Sequence, residues 1–76
     1  MWTEEQLRMV IDERKEANAY YHTLHEGRRM IWWGELSAKV NLRFGTNYTA
    51  THVKEKFQGI VRNVHVNIIK FILHHY

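Results

Sequence analysis

Three segments of this chain repeat apolar residues at helical spacing, and each is marked by one large aromatic side chain: Trp2, Trp33 and Phe57. With 76 residues in all, such a chain buries only about 60% of its unfolded surface, so bulky aromatics must fill much of whatever core it makes. Three tryptophans, four tyrosines and three phenylalanines are there to do so. Proline is absent, and so is cysteine, which removes disulfides and thiolate metal sites and is compatible with a reducing compartment. These constraints point to one domain of helices packed around aromatics.

Local signals place the helices. The first is expected over about residues 4–21. Thr3 is a good N-cap, Gln6 stands at the capping-box position, and Trp2 and Leu7 are spaced as a hydrophobic staple. Glu4 and Glu5 fall at the positive end of the helix dipole. Leu7, Val10, Ile11, Ala17 and one or both of Tyr20 and Tyr21 then recur along one face. The segment around His25, Glu26 and Gly27 reads as a loop. A second helix is expected over 29–44, with Met30, Trp33, Leu36, Val40 and Phe44 on one stripe and Gly45 as its terminating glycine. After the turn through Tyr48, Thr49 or Thr51 caps a third helix over about 50–64, whose apolar positions are Val53, Phe57, Ile60 or Val61, and Val64.

Residues 65–76 form an apolar extension. A helical stripe through Phe57, Val61, Val64, Ile68 and Phe71 competes there with the strand-like alternation Val64-His-Val-Asn-Ile, rich in β-branched residues. A continued or short fourth helix is favoured, because no breaker intervenes. Apolar residues nearly encircle it, so it is expected to fold back over the core. Otherwise Ile68, Ile69, Phe71 and Ile72 would meet a protein partner or form a homodimer.

Charge is segregated along the chain. Residues 1–26 hold three basic groups against six acidic ones, a balance of −3, and residues 27–76 hold eight against two, a balance of +6. A basic part of this kind is the electrostatic footprint of a polyanionic partner, because each Lys or Arg set on a phosphate releases condensed counterion.

The segments Trp2-Thr-Glu-Glu, Trp33-Gly-Glu-Leu-Ser-Ala-Lys-Val40 and Tyr48-Thr-Ala-Thr-His-Val-Lys-Glu-Lys-Phe57 together resemble the Myb/SANT-like superfamily. Within it they are most similar to the trihelix (GT-factor) DNA-binding domain, over about residues 2–64. Tyr48 stands where many relatives have Arg, and the tail is more apolar than a trihelix continuation. The resemblance implies an all-α, three-helix helix-turn-helix bundle with a C-terminal helical extension, whose third helix reads the major groove of double-stranded DNA. Lys54 matches a base-reading lysine of the superfamily. Thr51, His52, Glu55 and Lys56 are expected on the same surface, and Lys39, Arg43 and Arg62 at phosphates. The resemblance thus implies the targeting module of a transcription regulator or transposon-derived protein, in the nucleus. The alternative is a SANT- or MADF-type protein-interaction module. Protein-binding SANT modules tend toward an acidic third helix, and His52, Lys54 and Lys56 against Glu55 favour DNA.

Other chemistry is poorly represented. His22, His25 and Glu26 could approach one metal ion but do not complete a tetrahedral set, so no cofactor is expected. No nucleophile stands beside a base and no glycine-rich phosphate loop occurs, which argues against an enzyme. No apolar run reaches the roughly 20 residues of a membrane span, and no leader pattern follows Met1. An intracellular soluble domain is the simplest expectation.

Overall fold

The computed structural model describes the backbone of residues 1–75 and the side chains of residues 1–63. It is all-helical, in the order α1 (Glu4–Glu16), α2 (Asn18–Thr23), α3 (Glu26–Phe44) and α4 (Ala50–His75). No strand occurs among the described residues.

α1 begins on the capping box its sequence announces. The Gln6 N–H donates to Thr3 Oγ1 at 3.2 Å and the Thr3 N–H donates to Gln6 Oε1 at 3.1 Å. The helix does not run on to Tyr21 as expected. It breaks at Ala17, whose backbone (φ −86°, ψ 7°) leaves the helical region, and resumes at Asn18. Asn competes for backbone-like hydrogen bonds and weakens a helix interior, and here its Oδ1 takes a bond from Arg14 Nη1 at 2.9 Å across the break. Past the break, Tyr21 is buried while Tyr20 stays 61% exposed. Arg29 covers the end of α2, donating from Nε to the Tyr21 carbonyl at 3.3 Å and from Nη2 to the His22 carbonyl at 3.5 Å.

α3 starts at Glu26, three residues before the expected 29, so the connection is shorter than the loop read there. Glu26 in the first turn suits the dipole. α4 continues through residue 64 to His75, and the alternating Val64–Ile68 stretch is helical in backbone. A nucleated helix adds one hydrogen bond per residue, and nothing here stops it. The side chains of Ile68, Ile69, Phe71 and Ile72, with their expected fold-back packing or pairing, lie outside the described residues.

The core is Val10, Tyr21, Trp33, Leu36, Val40 and Val53. Trp33, 1% exposed, meets Trp32 edge-on at 4.9 Å, Tyr21 at 5.9 Å and Phe57 at 5.6 Å between ring centres. Its indole N–H donates to Tyr21 Oη at 3.0 Å, which supplies the partner a buried indole requires. Ser37 is buried too, its hydroxyl donating to the Gly34 carbonyl at 2.8 Å. Trp2 is stacked flat on Tyr48, with ring centres 4.0 Å apart and planes 3° from parallel.

Candidate nucleic-acid interface

The corner between α3 and α4 is held by groups from both sides of the turn. Gly45 takes the left-handed conformation (φ 67°, ψ 33°) that ends α3, and its N–H reaches the Asn41 carbonyl at 2.8 Å. The Asn41 side chain spans the turn. Its Nδ2 donates to the Tyr48 carbonyl at 2.8 Å, while its Oδ1 accepts from the Thr46 hydroxyl at 2.7 Å and the Tyr48 N–H at 2.9 Å. Sequence reasoning passed over Asn41. The available signal was a short amide near a helix end, a residue type that bonds locally to the backbone.

Thr49, one of the two expected caps, opens α4. The His52 N–H donates to Thr49 Oγ1 at 3.2 Å, and the Thr49 N–H donates to His52 Nδ1 at 3.2 Å. The pair is a capping box with histidine in the place usually held by Glu or Gln. With Nδ1 accepting, the proton of the neutral ring sits on Nε2, leaving that N–H as the ring's one donor.

Tyr48 is a structural link. Its ring carries Trp2, and its hydroxyl lies 3.1 Å from both Gln6 Oε1 and the Met1 carbonyl. This ties the start of α1 to the start of α4.

The eight residues expected to touch DNA sort into different surroundings. Thr51, Glu55 and Arg62 are exposed, and their spacing of four and seven puts them on the outward face of α4, opposite Val53. His52, Glu55 and Lys56 line a shallow depression of about 570 Å³ with Trp2, Asn47 and Tyr48. Lys54 leaves the helix roughly 160° away from Lys56. It is partly buried, with its Nζ 3.8 Å from Met30 Sδ on α3. Lys54 and Lys56 therefore do not share one face. Arg43 is exposed beside the turn, its guanidinium 5.0 Å above the Phe44 ring. Lys39 Nζ is 3.8 Å from Glu13 Oε2 on α1, a surface pair of the kind worth only about 0–1 kcal/mol.

His22 and His25 are both exposed. Among the described residues, no three His, Cys, Asp or Glu side chains are grouped to hold a metal ion, and no helix is long and apolar enough to cross a membrane. No family model, curated protein or solved structure matches the chain.

Proposed function

We propose that this chain is a double-stranded DNA-binding domain of Myb/trihelix type, in which α3, the turn and α4 act as a helix-turn-helix and the first three turns of α4 enter the major groove. Its setting is a nuclear transcription regulator or transposon-derived protein. The observation that carries the reading is the braced corner: a turn bridged by Asn41 presents an exposed face of Thr51, Glu55 and Arg62, flanked by His52 and Lys56, in the part of the chain that holds a balance of +6.

The roles follow the surroundings. Thr51 and the Nε2–H of His52 have the chemistry to meet base edges, and Glu55 can accept from cytosine N4. Lys56, Arg62 and Arg43 suit phosphates, which set orientation without reading sequence. Lys39 is released from Glu13 at small cost if a phosphate replaces the carboxylate. Lys54, whose Nζ rests against Met30 of α3, contributes to bases only by swinging its ammonium away, which a long flexible side chain permits.

Titration of the chain with a pool of random duplex DNA at low salt tests the proposal. Binding is expected, with log K falling linearly as log salt rises, and Lys56→Ala is expected to weaken binding to all sequences and flatten that slope by about one unit. Complete absence of binding at low salt removes the reading. Sequencing the bound fraction then defines the site.

A further inference from the structure

On the side of α4 facing α1 lies a cleft of about 610 Å³. Its floor is Ile11, Phe57, Ile60 and Val61, and its rim is Arg14, Lys15 and Asn18. Val61 is 50% exposed, so apolar surface faces water here.

Arg14 is the unusual member of the rim. Its guanidinium lies 3.7 Å from the centre of the Tyr21 ring and 5.7 Å from that of Phe57, with one nitrogen bonded to Asn18. Among the described residues it pairs with no carboxylate. Burial pushes its pKa below the ordinary arginine value; Tyr21 opposes the shift and the charge of Arg29 adds to it. An arginine stays protonated regardless, so a partly desolvated cation is held beside an open apolar floor. Its stacked position is already fixed, which lowers the ordering cost of receiving an anion.

We propose that this cleft docks an amphipathic helix of an acidic partner protein, with the helix's apolar residues seated on Ile11, Phe57, Ile60 and Val61 and its carboxylates paired with Arg14 and Lys15. Helices enter grooves of this kind through anchors at i, i+3 or i+4, and i+7. Charge selects the occupant. Among the described residues the lining holds two cations and no carboxylate, which favours an acidic sequence and disfavours the apolar tail of a second copy, since that tail brings Lys70 and further histidines. The acidic segment of a second copy, α1, already buries Val10 and Gln6 in its own domain. The inference goes beyond DNA binding and stands without it.

The test uses the full chain and a fluorescein-labelled designed helix with leucines at i, i+4 and i+7 and glutamates on both flanks, read by fluorescence anisotropy. A counterpart carrying lysines in place of the glutamates is the control. The expected result is saturable binding of the glutamate peptide, about tenfold weaker for the lysine peptide and about tenfold weaker again for the glutamate peptide on Lys15→Glu or Val61→Glu. Far-UV circular dichroism and thermal melts confirm that both variants fold. The proposal is overturned by equal affinity for the two peptides, by no binding of the glutamate peptide, or by indifference to both substitutions. It is also overturned if sedimentation shows a dimer of the native chain that Val61→Glu dissolves, because the cleft then belongs to a second copy.

Discussion

One helix, α4, has two unlike boundaries. Against α3 it closes a corner in which Trp33, Val40 and Val53 exclude water and Asn41 leaves the turn's backbone groups paired. Against α1 the same helix leaves Phe57 and Ile60 half-covered and Val61 half-exposed over a cleft. The difference lies in what each neighbour supplies. α3 offers a continuous apolar stripe through Trp33, Leu36 and Val40, whereas the buried residues of α1 are only Gln6 and Val10, followed by charged Arg14 and Lys15. A closed corner orients a recognition surface, and an open one leaves apolar area to be covered from outside. The stability of the domain is accordingly expected to be concentrated on the α3 side.

The strongest way to break that contrast is Trp33→Ala. Losing a fully buried indole, together with its bond to Tyr21, is expected to cost about 3–5 kcal/mol, enough to unfold much of a domain this small. Urea denaturation followed by tryptophan fluorescence or circular dichroism reads it. A cost below about 1 kcal/mol would mean that the corner is not where the stability resides. Next is Asn41→Ala, which removes three side-chain bonds and strips the Tyr48 N–H and carbonyl of their partner. The expected loss is about 2 kcal/mol, seen as a lower midpoint with an unchanged denaturant slope. If Asn41→Ala were neutral, the turn would be braced by α4 packing alone.

Gly45→Ala follows at about 1 kcal/mol. The reason is conformational, because a Cβ built at Gly45 meets nothing within 4 Å yet the residue needs its positive φ. A d-alanine placed there by chemical synthesis should recover most of the loss, which separates backbone strain from packing.

Features settled within a turn of helix were readable from sequence, and those needing two distant segments were not. The Thr3–Gln6 box, the Gly45 stop, the Thr49 cap and the Trp33–Leu36–Val40 stripe each depend on spacings of three or four residues. At Ala17 the weak helix former Asn18 is only a soft local signal, and the bond that joins Tyr21 to Trp33 beyond the break spans twelve residues. The Trp2–Tyr48 stack and the approach of Lys54 to Met30 join residues far apart in sequence. Both bear on the candidate site: the first makes Tyr48 a brace between the starts of α1 and α4, and the second draws the expected base-reading lysine toward α3. Periodicity gave the outward face of α4 but could not show which flank each neighbouring helix would occupy.

The smallest expected effect tests the open side directly. Val61→Ala removes two methyl groups from a residue already half in water, so the transfer loss is about half that of a buried truncation. Ala is also the better helix former by a few tenths of a kcal/mol, and the two contributions act in opposite directions. The net change is expected within about 0.5 kcal/mol of zero. Measuring it at two protein concentrations an order of magnitude apart separates geometry from association. A cost near 2 kcal/mol that is independent of concentration would mean that the cleft is filled from within the chain, and one that grows with concentration would mean a second copy fills it. A change near zero at both concentrations leaves the cleft as unfilled surface, the condition under which an acidic helix gains affinity by covering it.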